Sequence, residues 1–430
     1  MIVILLYIIG FGSLFINIFN TRNFILTNPD LYLETLVTNN KSVERIGQIT
    51  VSLFLLACLL GIGIGLYYWK RNLPRRGGWV TIAGLFLYTP IILSSLVSGN
   101  GGFSYKLFFF PMFMITVYLS PHFNLYREIK KILPILLVYI YTSLIAIFLN
   151  PTWAYSNYLN SWVGIPIRLY GAASHPNGIG YLALSYLILV RLNRKKSVWY
   201  YVHAIAGVIT LILSQSKTTW IALIIWIILE LIIKKVSIRR QITSRMLSIT
   251  LTVILIIVAF VLLFEKSFLG SFFNFDLSLT GRTNVWQITL DTWLKNPIFG
   301  YGPNLWNLGF RQQYNFLWAG HAHNQFLQTL GESGLVGVFG LLCYLLVFIY
   351  FSSRFVNVTN FASLGFFVIT LVRSFAETPL SNYDLNTSFL IHAIIFVMLV
   401  HIEGLSKNLT EYTQINSTSE IRNKDLLSYE

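Results

Sequence analysis

About twelve apolar segments run through this chain of 430 residues, and they constrain the fold more than any other feature. Each is close to the roughly 20 apolar residues that a helix needs to cross the hydrocarbon core of a bilayer. They cover residues 2–19, 46–69, 78–97, 103–120, 131–150, 172–190, 198–214, 218–233, 246–264, 334–351, 359–376 and 386–403. The first has no basic stretch before it and no small-residue cleavage site after it, which indicates a retained span instead of a signal peptide.

The composition leads to the same fold class. Hydrophobic residues make up 55% of the chain and charged residues 11%, whereas soluble domains carry about 25% charged residues. We therefore predict an all-α polytopic membrane protein with about 12 transmembrane helices. Residues 1–404 should form this membrane domain, and the polar residues 405–430 should form a flexible cytoplasmic tail.

The net charge of +15 indicates membrane topology and not nucleic-acid binding. Lysine and arginine concentrate in the cytoplasmic loops of membrane proteins. If both termini are cytoplasmic, the inner loops hold more than half of these residues: Lys70, Arg71, Arg75, Arg76, Arg127, Lys130, Lys131, Arg191, Arg194, Lys195, Lys196, Lys234, Lys235, Arg239, Arg240, Arg245 and Arg354. The outer face then carries loops 20–45, 98–102, 151–171, 215–217, 265–333 and 377–385.

The outer loop 265–333 is long and rich in aromatic residues, which argues against disorder. Its aromatic side chains are Phe268, Phe272, Phe273, Trp286, Trp293, Phe299, Trp306, Phe310, Tyr314, Phe316 and Trp318. Residues 281–295 place apolar side chains at Val285, Ile288, Leu290, Trp293 and Leu294, a spacing that predicts an amphipathic helix on the membrane or on the bundle.

Arg168, Lys217 and Arg282 are three of the cations on the predicted outer side. Each alone could snorkel to headgroup phosphates or form a structural salt bridge. As a set they have few carboxylates nearby in sequence to pair with, and they would bind an anion well. At this depth the natural anion is a lipid-linked phosphate or diphosphate.

The stretch HAHNQFLQTLGESGLVG, residues 321–337, places His321 and His323 where the loop meets an apolar segment. Zinc would need a third ligand of matching type, and none is near in sequence. Because imidazole titrates near neutral pH, a general base is the favoured role, and either histidine could fill it. Asn324 can cap the following helix, and Glu332 could orient an imidazole or a cation. His203 and His392 lie inside spans and are expected to be interhelical hydrogen-bonding groups.

The stretch GAASHPNGIG, residues 171–180, predicts a broken or kinked helix start. Backbone N–H groups freed by such a break could face a ligand. His175 and Asn177 lie at this break. A simple loop entry into a span is the alternative.

Four stretches, in this order, resemble the bacterial O-antigen ligase and O-antigen polymerase superfamily of membrane glycosyltransferases. They are RLYGAASHPNGIGYLAL, LSQSKTTWIAL, TGRTNVW, and His323-Asn324 followed after nine residues by Gly334-Leu335-Val336-Gly337. The resemblance covers roughly residues 160–350. The chain departs from the family pattern at Lys217, where the family has arginine.

The resemblance implies an enzyme that passes an oligosaccharide from a polyprenyl (undecaprenyl) diphosphate to an acceptor sugar, without a nucleotide sugar, a cofactor or a metal. Arg168, Lys217 and Arg282 would hold the donor diphosphate, and His323, or else His321, would be the base. His175, Asn177, Asn324, Glu332 and Trp286 would support the site. The expected partners are the lipid-linked donor, an acceptor glycan or lipid, membrane lipids, a flippase and a chain-length regulator, in a bacterial cytoplasmic membrane.

Within this superfamily a polymerase is favoured slightly over a ligase, which differs only in its acceptor. A twelve-span secondary transporter is the alternative of another class. Transporter sites usually lie near the midplane, whereas the polar residues here cluster at one surface.

Overall fold

The computed structural model describes residues 1–19, 41–69, 77–98, 103–120, 125–158, 161, 163–173, 175–192, 197–240, 246, 249–250, 282–317, 319–381 and 383–405. Three predictions concern residues outside these ranges: nearly all of the ninth apolar segment, the first part of the outer loop and the C-terminal tail.

Helices dominate the described chain. They are α1 (Ile2–Phe19), α2 (Lys41–Trp69), α3 (Gly78–Val97), α4 (Phe109–Leu119), α5 (Leu125–Leu149), α6 (Pro151–Ala154), α7 (Pro176–Val190), α8 (Val198–Ser214), α9 (Lys217–Arg240), α10 (Arg282–Trp293), α11 (Leu308–Gln313), α12 (Gln325–Arg354), α13 (Ala362–Ser374) and α14 (Thr387–Leu405). Short 3₁₀ turns cover Tyr105–Phe108 and Gly171–Ala173. Every predicted apolar segment other than the ninth is helical.

Six helices in the described ranges are long and apolar enough to cross a membrane: α1, α2, α3, most of α5, α12 and α14. The apolar helices α7, α8 and α13 have 17 residues or fewer, and so does the helical stretch Tyr105–Leu119. A membrane protein with several spans is therefore supported, whereas the predicted number of about twelve is not confirmed.

Helix α14 occupies the centre of the bundle, and 89% of its apolar window is buried. His392 lies on this helix, fully buried, with Tyr344 Oη 2.8 Å from its Nε2 and Tyr88 Oη 3.3 Å from its Nδ1. His203 contacts Tyr141 Oη at 2.6 Å in the same way. The prediction that these two histidines join helices is confirmed.

The outer loop is attached to the bundle where helix α12 is broken. Gly334 has φ +61° and ψ −157° within this helix. The interrupted backbone pairs with the loop instead: the amide of Leu335 donates to Pro297 (2.9 Å), and the amides of Tyr301 and Gly302 donate to Gly331 (2.9 Å) and Glu332 (2.8 Å). Residues 325–333 therefore form a separate helical stretch before the break, and the break lies at the first residue of the predicted span 334–351.

Helix α10 confirms the helix predicted for 281–295, but the buried stripe differs from the predicted one. Val285, Thr289 and Thr292 are buried, and the helix packs against α12, whereas Leu294 is exposed. The predicted stripe was chosen by the hydrophobicity of the side chains. The face that a packed helix buries is decided instead by the neighbouring helix, and in α10 that face includes two threonines.

A two-stranded antiparallel ribbon departs from the all-α prediction. Strand β1 (Tyr155–Asn157) pairs with β2 (Ile167–Leu169), with Ser156 opposite Arg168. Strands of three residues are too short to show a period of two in sequence.

Candidate functional site

The two histidines of the HAH stretch lie in a tight turn immediately before α12. Their ring centroids are 4.0 Å apart. Asn324 caps the helix as predicted, because its side-chain oxygen accepts from the amides of Phe326 (2.9 Å) and Leu327 (3.1 Å). His323 has φ +49°, a left-handed conformation that is uncommon for a residue with a side chain. Such conformations cost of order 1–3 kcal/mol and cluster at functional sites.

Glu377 is the residue that organises the site, and sequence reasoning missed it. Its side chain is buried, and Oε2 lies 3.9 Å from His321 Nε2 and 3.8 Å from His323 Nδ1. In sequence it is an ordinary acidic residue in a short loop, 54 positions beyond His323. No local pattern signals the contact, which depends on how α13 returns to the histidine turn.

The other oxygen of the same carboxylate faces amide and guanidinium groups. Asn177 Nδ2 donates to Glu377 Oε1 at 2.6 Å, and Arg282 Nη2 lies 3.6 Å from that oxygen. Arg282 also donates to the carbonyl of Ala376 at 3.0 Å. The structure thus brings Asn177, from the first of the four family-like stretches, beside Arg282 from the outer loop. The two are joined through a carboxylate that the sequence analysis did not include.

Arg373 is a second site residue that was missed. It is 4% exposed at the end of α13, and its Nη1 donates to the carbonyl of Asn177 at 2.7 Å. A signal existed in the sequence, since a charged residue inside an apolar segment is rare and commonly functional. It was overlooked because the segment 359–376 was assigned as a span.

Arg168 reaches the same group from the ribbon. Its Nη2 lies 3.5 Å from Asn177 Oδ1, its Nε 3.5 Å from the carbonyl of Ser214, and its guanidinium 5.1 Å from the ring centre of Tyr158. Asn177 therefore connects Arg168, Arg373 and Glu377. His175 caps α7 by accepting from the amide of Asn177 at 3.2 Å, which fits the predicted helix start at this position.

Lys217 lies at the exposed first position of α9 and makes no hydrogen bond or ion pair with another residue of the described ranges. The turn that precedes it is tied to the ribbon, because Gln215 Nε2 donates to the carbonyls of Ile165 (2.8 Å) and Ile167 (2.6 Å). The structure brings the turn beside Arg168 without bringing the lysine into contact with the arginines.

The side chains of the two remaining predicted residues bond to groups other than the imidazoles. Trp286 donates from Nε1 to the carbonyl of Ala322, between the histidines, at 2.9 Å. Glu332 accepts from Gln328 Nε2 (2.7 Å) and Tyr383 Oη (2.6 Å). The prediction that Glu332 could orient an imidazole or a cation is therefore wrong. Glu332 is buried one helical turn beyond Gln328, and its carboxyl oxygens accept hydrogen bonds from Gln328 and Tyr383.

The electrostatics of the cluster favour an anion. Burial alone would raise the pKa of Glu377, but His323, His321 and Arg282 outweigh it and hold the pKa well below its ordinary value. Burial and the neighbouring His323 lower the pKa of His321, which is therefore neutral at pH 7. The cluster then holds one carboxylate, Glu377, and three guanidinium groups: Arg282 and Arg373, which interact with that carboxylate, and Arg168, which reaches Asn177. This leaves an excess of positive charge.

A metal ion is the other ligand that the donor atoms could hold. One atom each of His321, His323 and Glu377 lies within 4.8 Å of the others, and two imidazoles with a carboxylate are a ligand set that zinc uses. The sequence expectation of no metal was based on a missing third ligand, and Glu377 supplies one. The arginine-rich surroundings nevertheless disfavour a divalent cation, because Arg282 pairs with the same carboxylate.

Comparison with known families agrees with the geometry. Residues 202–342 match the family model described as O-antigen ligase. Residues 202–342 are therefore similar to the O-antigen ligase family. This match confirms the predicted superfamily, and it supports a membrane protein of the ligase and polymerase type, acting on glycans, over a secondary transporter. No curated protein sequence matches the chain.

The O-antigen ligase match contains part of the site and leaves part outside. It includes Lys217, Arg282, Trp286 and both histidines of the turn. The structure adds residues from beyond either end of the matched range, namely Arg168, His175, Asn177, Arg373 and Glu377. The candidate site is therefore assembled from the matched domain and from helices on both sides of it.

Proposed function

We propose that this protein is a polysaccharide polymerase that transfers oligosaccharide repeat units from undecaprenyl diphosphate to an acceptor sugar at the outer face of the bacterial cytoplasmic membrane. The observation that carries the proposal is the Glu377 cluster, in which one carboxylate oxygen faces two imidazoles and the other faces Asn177 and Arg282. A ligase would use the same donor and differ in its acceptor.

In the proposed reaction the acceptor hydroxyl oxygen attacks the anomeric carbon as the bond from that carbon to the diphosphate oxygen breaks. The diphosphate leaves with the bonding electron pair, and the acceptor proton passes to a histidine. In-line displacement inverts the anomeric centre. Arg168 and Arg282, with Lys217 at the rim, are proposed to hold the diphosphate, because fixed cations stabilise a leaving group whose negative charge grows in the transition state.

The hydrogen bonds favour His323 over His321 as the base. His321 Nδ1 accepts from the amide of His323 at 3.0 Å, so the proton of the neutral ring lies on Nε2, the atom facing Glu377. His321 thus has no ring nitrogen available to take a proton. His323 Nδ1 faces Glu377 Oε2 at 3.8 Å. With its proton on Nδ1, Nε2 of His323 carries the lone pair that would accept the acceptor proton. A carboxylate that orients the imidazole of a base is a recurring arrangement.

The test compares purified His323→Ala with wild type, using lipid-linked oligosaccharide extracted from cells that lack this gene as donor. We expect the single-turnover rate to fall by about 10²–10⁴-fold, with a much smaller change in donor binding. His203→Ala, which removes a histidine bonded to Tyr141 inside the bundle, is the control and should keep the rate. A wild-type rate in His323→Ala would eliminate the base assignment.

Glycan analysis of the deletion strain separates the two acceptors. A polymerase predicts single repeat units accumulating on the lipid carrier, and a ligase predicts full-length chains on it. An unchanged glycan profile would contradict both functions.

A further inference from the structure

The backbone between the two histidines is held at both of its polar groups. The carbonyl of Ala322 accepts from Trp286 Nε1 at 2.9 Å, and its amide donates to Gln328 Oε1 at 2.7 Å. The side chain of Ala322 is fully buried. Since His321 and His323 flank Ala322, the two hydrogen bonds fix the orientation of the backbone that carries both imidazoles.

Gln328 is the first member of a hydrogen-bonded chain that runs away from the site. Its Nε2 donates to Glu332 Oε1 at 2.7 Å, and Tyr383 Oη donates to Glu332 Oε2 at 2.6 Å. The carbonyl of Glu332 accepts from Ser94 Oγ on α3 at 2.6 Å. The chain therefore connects the histidine turn to the segment before α14 and to α3, which packs along α12.

The directions of the two hydrogen bonds that Gln328 makes are determined by chemistry. An amide N–H can only donate, so Gln328 must present its oxygen to Ala322 and its NH₂ to Glu332. The carboxyl group of Glu332, whose pKa burial raises to about 8, accepts from Gln328 with one oxygen and is hydrogen-bonded to Tyr383 through the other. All members are buried or half-buried, where a polar group left without a hydrogen-bond partner is destabilising. A chain with this fixed polarity holds Ala322 more rigidly than packing of its methyl group alone would.

We propose that Gln328 and Glu332 are positioning residues that set His323 against Glu377 by anchoring the backbone of Ala322. This inference rests on the proposed role of His323 as the base. Neither residue touches the imidazoles, and the effect passes through the turn. A displacement of about 1 Å at a reacting group can lower a rate on the order of 100-fold.

The polarity of the chain provides a rescue experiment. Gln328→Glu places two carboxylates side by side and removes the donor to Glu332. In the double variant Gln328→Glu/Glu332→Gln every bond can re-form: the new carboxylate accepts from Ala322 and from the new amide, whose oxygen accepts from Tyr383. Gln287→Glu is the matched control, because Gln287 also donates to an acidic residue four positions on, Asp291 at 2.9 Å, but on the exposed face of α10.

We expect Gln328→Glu to lower kcat by roughly 10-fold to 100-fold with the KM for extracted lipid-linked oligosaccharide nearly unchanged. The double variant should recover kcat to within a few-fold of wild type, and Gln287→Glu should match wild type. A wild-type kcat in Gln328→Glu overturns the proposal, and so does a loss that the double variant leaves unrepaired while both proteins unfold at the wild-type temperature.

Tyr383→Phe keeps the proposal testable if Gln328→Glu does not fold. It removes one O–H donor at the far end of the chain, and we expect a several-fold lower kcat without a change in KM. An unchanged kcat in that variant would overturn the proposal. His323→Ala, assayed in parallel, separates this inference from the proposed function. Full activity of His323→Ala would contradict the role of His323 as the base. An inactive His323→Ala together with a fully active Gln328→Glu would contradict only the positioning role.

Discussion

At the level of single residues, Glu377 holds the site together. It accepts from Asn177, faces Arg282 with the same oxygen and presents its other oxygen to both histidines. A carboxylate with this many positive and polar neighbours stays ionised, which is why its pKa is held well below the ordinary value. We infer that its charge orients the imidazoles as well as balancing the arginines.

Glu377→Gln should therefore change both the rate and the response to acid. The folded state lowers the pKa of this carboxyl, so it stabilises the protein above the unfolded pKa of about 4.3, and that contribution is lost as the pH falls toward the folded value. We expect a lower kcat at pH 7, and a smaller drop in unfolding temperature between about pH 5 and pH 3 than wild type shows.

The measurement is thermal unfolding in detergent across this pH range, with Glu44→Gln as control. Glu44 is an exposed acidic residue in the first turn of α2. Equal acid sensitivity of Glu377→Gln and wild type would show that the carboxylate is not stabilised by its neighbours.

Arg282 is the residue on which anion binding can be tested most directly. It lies on the first position of α10, half-buried, with one nitrogen toward Glu377 and another on the carbonyl of Ala376. Arginine grips a phosphate through two parallel donors, and lysine is a point charge. Arg282→Lys should weaken inorganic pyrophosphate binding by roughly 10-fold, or about 1.4 kcal/mol, a loss comparable to one charged hydrogen bond.

Isothermal titration with pyrophosphate measures this effect, and Arg311→Lys is the control. Arg311 lies on the same outer loop and donates to the carbonyl of Leu317 at 2.9 Å, away from the Glu377 cluster. Equal pyrophosphate affinity of Arg282→Lys and wild type would remove Arg282 from the donor site.

At the level of secondary-structure elements, the break in α12 decides where the outer loop attaches. The backbone angles of Gly334 lie in a region that is essentially restricted to glycine. A Cβ at this position would collide with the carbonyl of Ile298, which pairs with the broken helix. The glycine is therefore required both for its conformation and for the space it leaves.

Gly334→Ala should lower the free energy of unfolding by about 1–3 kcal/mol or more, since backbone strain of this kind costs that amount and the clash adds to it. Thermal unfolding and limited proteolysis of the outer loop measure the change. Gly63→Ala is the control, because Gly63 is helical in α2 with nothing within 4 Å of the added methyl. A wild-type unfolding temperature in Gly334→Ala would mean that the break is not required for stability.

At the level of the whole molecule, the proposed reaction requires the Glu377 cluster to face the outside of the cell. The basic inner loops predict this orientation. A membrane-impermeant maleimide tests it on a background without Cys58 and Cys343, which are free cysteines in apolar helices. Gln313→Cys on α11 should label in intact cells, and Lys235→Cys on α9 should label only after permeabilisation, as both positions are exposed. The reverse pattern would place the site on the cytoplasmic side.

The sequence predicted the elements well because each depends on local chemistry. Hydropathy identified every apolar helix in the described ranges, and residues 78–97 and 198–214 coincide with α3 and α8. The cap at Asn324 depends on side-chain hydrogen bonding, and the helix break at Gly334 depends on backbone freedom. Each of these is a property of a single residue type, so the sequence alone indicates it. The number of spans could not be fixed in this way, because several apolar helices are too short to be assigned by length.

The sequence by itself therefore determined a helical membrane protein, its superfamily and most of the charged and imidazole side chains of the site. Only the tertiary structure decided how they are combined: Glu377 and Arg373 entered the site, Lys217 remained out of contact with the arginines, and the carboxyl of Glu332 bonded Gln328 and Tyr383 instead of an imidazole. The physical reason is distance along the chain. Hydropathy and capping act within one helix, whereas the partners of Glu377 come from three separate parts of the sequence. They meet Glu377 only when α7, α10, α12 and α13 pack together.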